Sequence, residues 1–209
     1  VHSLAFALLR TAAEEELRLI TGAEQDAVIR ELLIGQAEDG HGAWPEEMRP
    51  ALEYVGFARQ LRDFLLRSIE RGLGPGDLER LGHEYGRPMW SAAGEFLREY
   101  ERVQLLSRSH SYSAAELVTA VLQRPELLRD HPFHTIVVDD AQLLDPTAGK
   151  LILGLAAQAN LVVVGGDTAQ SVFAFRGASS RFLQDFPAEH DIELTESYRR
   201  PTPACISIV

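Results

Sequence analysis

The chain has 209 residues, 45% of them apolar, and a formal net charge of −11, so it can bury one sizeable core as a single domain or a domain with an insertion. The acid excess excludes a surface that wraps nucleic acid all over, because neutralising phosphates takes clustered Lys and Arg; any such contact has to be local. A single cysteine, Cys205, excludes an internal disulfide, and the seven histidines carry no zinc-ligand spacing. With no apolar run of about 18 residues and no secretory leader, the expectation is a reduced, cytoplasmic setting without membrane contact. The chain opens on Val1 without an initiator Met and stops on an apolar run at Val209, so sequence is expected beyond both ends.

From about residue 3 to residue 128, apolar residues recur at three- and four-residue spacing between turn residues, which predicts a series of helices. Thr21 and Glu24 form a capping box ahead of a helix through Val28, Ile29, Leu32 and Leu33 that is expected to stop at Gly35. A longer helix is expected from Pro50, whose missing N–H costs nothing in a first turn, through Leu52, Val55, Leu61, Leu65 and Ile69 to Gly72. Gly74, Pro75 and Gly76 then break the chain. Asp77 is expected to cap a short helix through Leu78 and Leu81, and Met89 to Leu106 to form another with Phe96, Leu97 and Tyr100 inward. Ser113 and Glu116 make a second capping box, opening a helix that ends before Pro125. After His131 the texture changes. Thr135 to Asp139 and Leu161 to Gly165 are short apolar runs rich in β-branched residues, the pattern of buried parallel strands. Thr147 to Ala159 has the spacing and length of a crossover helix, and Ile192 to Thr195 is expected to add a third strand, so the C-terminal third reads as α/β.

The first strand ends in Asp139 and Asp140, with Gln142 two residues on. That places two carboxylates at the carboxyl edge of a parallel sheet, where open α/β sheets put their ligands. One suits a Mg²⁺ ion bridging nucleotide phosphates and the next suits holding or deprotonating an attacking water; the plainer alternative is that Asp140 merely caps the following turn. The second strand runs into Gly165, Gly166, Asp167, Gln170 and Ser171, at the same edge. Phe173 and Phe175 stand beside Arg176, a combination suited to stacking on the bases of a single strand, although burial is the commoner fate of a pair of Phe residues. Tyr198 and Arg199 follow the third apolar run, an aromatic beside a guanidinium suited to charge developing on a transferring phosphoryl group. His131 and His134 have no third ligand nearby and read as loop residues, and Glu14 to Glu16 as a solvated helix face. The Gly149–Lys150 pair is not a phosphate loop: Leu144 stands where its first glycine belongs and Leu151 follows the lysine, so it reads as part of the crossover helix.

In order and spacing these segments resemble the UvrD, Rep and PcrA group of superfamily 1 DNA helicases. Val138 to Gln142 is similar to the family's Walker B box; Gly166 and Asp167, through Gln170 to Phe173 and on to Phe175–Ala178, to its next box; and Ser197 to Arg199 to the following one. His2 to Phe6, with Leu9 and Arg10, resembles the segment that touches the single strand ahead of a helical insertion. The resemblance implies an α/β fold, a partial P-loop NTPase (RecA-like) parallel sheet core with a large all-helical insertion. Residues 1–19 would begin domain 1A, 20–128 fill the place of the helical 1B subdomain, and 129–209 return to 1A. It also implies ATP and Mg²⁺ as cofactors, single-stranded and duplex DNA as partners, and ATP-driven movement on a single strand in DNA repair or recombination.

By the same resemblance Asp139 coordinates Mg²⁺, Asp140 takes the catalytic-base position, and Gln142 and Gln170 sit near the terminal phosphate. Tyr198 stacks on adenine and Arg199 contacts the γ-phosphate. Phe173, Phe175 and Arg176 line the path of the single strand, with His2 and Ser3 nearby. Three departures stand out: Asp140 replaces the family's Glu and is one methylene shorter, Phe173 and Phe175 replace Tyr and Trp, and no P-loop is present. The loop is expected upstream of Val1, and the chain alone is expected to be inactive. The shorter acid points to a second motor or nuclease subunit, as in helicase–nucleases of the AdnAB type. The alternative reading is a non-catalytic helicase-like module that binds DNA or a partner motor subunit. An unrelated P-loop ATPase would not require the string from Gln170 to Ala178.

Overall fold

The computed structural model describes residues 1–12, 17–106 and 111–195. In chain order these form α1 (His2–Ala12), the two-residue strand β1 (Arg18–Leu19), α2 (Gly22–Asp39), a 3₁₀ segment at Glu46–Ala51, α3 (Val55–Glu70), α4 (Pro75–Glu84) and α5 (Pro88–Leu106). There follow β2 (Ser111–Tyr112), α6 (Ala114–Leu122), α7 (Pro125–Arg129), β3 (Thr135–Val138), α8 (Pro146–Ala156), β4 (Leu161–Val164) and the short α9 (Arg181–Gln184). No helix among the described residues is long and apolar enough to cross a membrane.

Both capping boxes form. The Thr21 hydroxyl accepts the Glu24 N–H at 3.3 Å while the Glu24 carboxylate accepts the Thr21 N–H at 2.8 Å, and Ser113 and Glu116 repeat the pattern at 3.3 and 2.7 Å. Other boundaries move from their predicted places. α2 passes through Gly35 and ends at Gly40, whose φ of 67° supplies the left-handed closing residue. An internal glycine costs only about 1 kcal/mol, and the extra turn buries Gln36, which accepts the Trp44 indole N–H at 2.7 Å and donates to Glu99. Pro50 lies in the 3₁₀ segment, and α3 starts only at Val55 after an extended Tyr54. Asp77 is not the cap of α4 but its third residue, accepting the Gly74 N–H at 3.1 Å, because Pro75 with its fixed φ takes the first helical position.

The helices bury two main cores. In one, Ile29 and Leu33 of α2, Leu61 and Leu65 of α3, Leu78 of α4 and Phe96, Leu97 and Tyr100 of α5 close around Trp44, whose ring meets Phe57 edge-on at 5.4 Å. α4 and α5 approach so closely that a Cβ on Gly94 would lie 2.6 Å from the Pro75 carbonyl oxygen, and one on Gly82 would lie 2.5 Å from the Ser91 nitrogen. In the other, Ala5, Leu8 and Leu9 of α1 pack with Leu117, Val118 and Val121 of α6 and Leu151 and Leu155 of α8. Each buried leucine contributes about 1.5–3 kcal/mol of transfer free energy.

Two parallel strand pairs tie these layers together. β1 pairs with β2 (Arg18 opposite Ser111), which the sequence does not announce because two residues have no period. β3 pairs with β4 in register from Thr135 opposite Leu161 to Val138 opposite Val164. Parallel neighbours require a crossover, and α8 supplies it, carrying Gly149 and Lys150 within its length as expected. One face of this pair packs on Ile152 of α8 and on Phe182 and Leu183 around α9. Val137 and Val163 on the other face stay exposed, so the predicted double-sided burial holds on one side only among the described residues. Ile192 to Thr195 forms no strand; Ile192 and Leu194 are exposed, and no described strand offers that segment a ladder.

Candidate functional site

The ladder between β3 and β4 continues one step past the strands: the Gly165 N–H donates to the Val138 carbonyl at 2.7 Å and the Ala141 N–H to the Gly165 carbonyl at 3.0 Å. This locks the two loops at the carboxyl edge side by side. Asp139 leaves β3 at that edge, exposed, with one oxygen accepting the Asp140 N–H at 2.9 Å and the other without a partner among the described residues. Asp140 adopts the left-handed conformation (φ 51°, ψ 41°), the one non-glycine residue with positive φ among the described residues. Aspartate tolerates that region better than most side chains, and such outliers concentrate where function over-determines the backbone.

Gln142 is the clasp between the loops. It is buried, donates its amide N–H to the Asp140 carboxylate at 3.2 Å and accepts the Asp167 N–H on its amide oxygen at 3.1 Å. Gly166 makes room for it, since a Cβ there would come within 2.5 Å of that oxygen. Beyond the clasp, Asp167 closes a tight turn by accepting the Ala169 N–H and the Gln170 side-chain amide, both at 2.9 Å. These donors, Gln170 foremost, hold the Asp167 carboxyl below the usual carboxylate range. Asp139, Asp140, Asp167 and Gln170 therefore share one solvent-facing edge, and Gln142 faces inward beneath them. Asp139 offers hard oxygen in the way Mg²⁺ is commonly held, by one or two carboxylates together with phosphates and water. No group of three or more His, Cys, Asp or Glu side chains converges as a metal site among the described residues.

Immediately downstream, a 3₁₀ turn at Ala174–Arg176 presents Phe173 and Phe175 to solvent at 37% and 73% exposure. Neither ring is a core residue. Their centroids lie 6.0 Å apart, and the Arg176 guanidinium sits 5.4 Å from each, a cation–π arrangement that holds the three as one unit. The turn closes on the buried Gly177 at φ 89°. His2 and Ser3 are exposed in the first turn of α1; partial burial lowers the His2 pKa, against the opposing charge of Asp145 at the start of α8. Tyr198 and Arg199 lie outside the described residues. The sequence also missed a contributor: Arg67, in α3, donates to the Arg176 carbonyl from 109 positions away, and no local signal points to it.

The comparison with known proteins follows the same residues. The UvrD/REP helicase N-terminal domain family matches residues 1–191. The chain is similar to the putative ATP-dependent DNA helicase YjcD of Bacillus subtilis, 31% identical over 117 residues, covering 51% of this chain and 15% of that protein. It is also similar to DNA helicase II of Escherichia coli, 25% identical over 213 residues, and to the ATP-dependent DNA helicase PcrA of Staphylococcus aureus, 24% identical over 213 residues. Each of these two alignments covers 95% of this chain and 27% of the relative. The chain thus spans about a quarter or less of the length of the curated relatives it matches. With a family match across nearly its whole length, falling on the strand edge and the aromatic turn just described, the chain belongs to the UvrD/REP helicase family.

Proposed function

We propose that this chain is part of the ATPase core of a DNA helicase or translocase that couples ATP hydrolysis to movement on single-stranded DNA, in repair or recombination. The observation that carries the reading is the junction of two surfaces within one short stretch. A carboxylate edge with Asp139, Asp140, Asp167 and Gln170 leads within three residues into the exposed Phe173–Phe175–Arg176 unit. Asp139 would hold Mg²⁺ with the nucleotide, which supplies charge neutralisation to the phosphates. Asp140 orients and deprotonates the attacking water, and Gln142 keeps that carboxylate in place through its 3.2 Å contact. Gln170, set by Asp167, is the amide that senses the terminal phosphate. Tyr198 stacks on adenine and Arg199 balances charge on the transferring phosphoryl, as the family resemblance implies.

Phe173 and Phe175 stack on bases, each contact worth about 1–3 kcal/mol whatever the base, with His2 and Ser3 contributing from α1. In this reading residues 20–128 are the helical 1B-like insertion in a RecA-like domain 1A. Supporting an insertion, the first core draws only on residues between 28 and 100; α6 and α7, at its far end, pack instead with α1 and α8. The 209 residues contain no phosphate-binding glycine loop, so the chain on its own binds ATP poorly and does not turn it over. The setting we propose is cytoplasmic, with a second motor or nuclease subunit as partner.

One observation favours a second reading, a helicase-like module that binds DNA without cycling ATP: Asp140 is one methylene shorter than the family's Glu, and its carboxylate already accepts from Gln142. The two separate in the full-length protein on comparing single-strand-stimulated ATPase of the natural sequence with Asp140→Glu. A working motor turns over as it stands. A silent natural protein that Glu restores identifies the non-cycling module.

A further inference from the structure

The aromatic turn has little to hold it. Its rings are exposed, and its own backbone supplies short-range bonds, Arg176 N–H to the Phe173 carbonyl at 2.8 Å, Gly177 N–H to the Ala174 carbonyl at 3.0 Å and Ala178 N–H to the Phe173 carbonyl at 3.3 Å. Just past the turn the Ser179 N–H donates to the Leu144 carbonyl at 2.8 Å, and the contact from outside on the turn itself comes from the C-terminal end of α3. Arg67 donates from one guanidinium nitrogen to the Arg176 carbonyl and to the Glu70 carboxylate. Glu70 in turn lies against Gly177: a Cβ on that glycine would fall 2.9 Å from the Glu70 carboxylate oxygen. The end of α3 is itself fastened to α8, because the Thr147 hydroxyl lies 3.0 Å from the Ile69 carbonyl and 2.7 Å from that of Glu70. Glu70 is largely buried here. Burial raises its pKa and the nearby Asp145 adds to the rise, while Arg67 and Arg71 oppose it.

We propose that Arg67 is a positioning residue for the stacking unit, anchoring the Arg176 backbone so that the guanidinium and the two phenyl rings stay assembled for DNA. The inference rests on the stacking reading proposed above. Arg67 touches neither base nor nucleotide in this role, and its charge is already paired with Glu70, so it is not a phosphate-binding cation. That distinction is measurable, because losing a phosphate contact lowers the salt dependence of binding by about one unit of slope, whereas losing a positioning contact leaves the slope alone.

The test uses the full-length protein with an oligo-dT strand and a strand carrying 2-aminopurine. Arg67→Ala is expected to weaken binding roughly tenfold, of the order of one lost base stack, to reduce the stacking-dependent quenching of 2-aminopurine, and to leave the salt slope unchanged. Arg67→Lys, which keeps a donor, is expected to recover part of the loss. Gly177→Ala, which strains the closing residue of the turn at φ 89° with Arg67 intact, is expected to give the same defect and serves as the control for a disturbed turn. Unchanged affinity and quenching in Arg67→Ala, alongside a weakened Phe175→Ala, overturns the positioning role alone. A slope reduced by about one in Arg67→Ala reassigns it as a phosphate contact. If Phe175→Ala also binds normally, the stacking reading fails and the inference falls with it.

Discussion

Gln142 bears the most structural weight at the site for its size, since one buried amide restrains Asp140 and satisfies the Asp167 N–H. Truncating it leaves that N–H unpaired beneath Gly166. Gln142→Ala is therefore expected to destabilise the protein by about 1–3 kcal/mol, read from urea denaturation. Asp167 adds a pH dependence of known sign. Its folded pKa lies below the ordinary value of 3.8, so its contribution is present above that value and fades as pH falls through the folded one. The natural protein should then lose more stability than Asp167→Asn between about pH 5 and about pH 3; equal losses in the two would remove the turn as the cause. At this scale the sequence was a poor guide to conformation. Two acids closing a β-branched run mark the carboxyl end of a strand, but the left-handed φ of Asp140 and the inward aim of Gln142 depend on Gly165 and Gly166, which arrive a whole crossover later.

Elements were legible where their signals are local. Ser or Thr followed by Glu three residues on names the first turns of α2 and α6 in sequence, and both caps form as read. Signals that depend on competition misled. Gly35 reads as a stop, yet burying Gln36 against Trp44 outweighs one glycine, and Pro50 takes a 3₁₀ turn while Leu52 still reaches the core. β1 with β2 and the unformed strand at Ile192 to Thr195 show the same limit, since a strand exists only against a partner. The close crossing of α4 and α5 gives a direct check on packing. Alanine is the better helix former by about 1 kcal/mol, yet Gly94→Ala is expected to cost about 1–3 kcal/mol net, because its Cβ would sit 2.6 Å from the Pro75 carbonyl oxygen. A thermal melt at or above that of the natural protein would mean that the helices separate cheaply.

Across the whole molecule, the acid excess leaves room only for a local nucleic-acid contact, and the aromatic turn proposed for it is local: two rings and one guanidinium beside the carboxylate edge. What no reading of one sequence supplies is the long-range fastening of that turn. Arg67 and Arg176 belong to segments with different textures, and the bond between them exists because α8, through Thr147, brings the end of α3 to the sheet edge. The central claim is that this edge hydrolyses ATP in response to the strand lying on the turn next to it. The measurement that tests it most directly is steady-state ATP turnover of the full-length protein with and without oligo-dT, natural sequence against Asp140→Asn. The expected result is strong stimulation of the natural protein by the strand and a fall of about a hundredfold in the stimulated rate on losing the base. A natural rate indifferent to DNA, or an Asn variant as fast as its parent, would contradict the account.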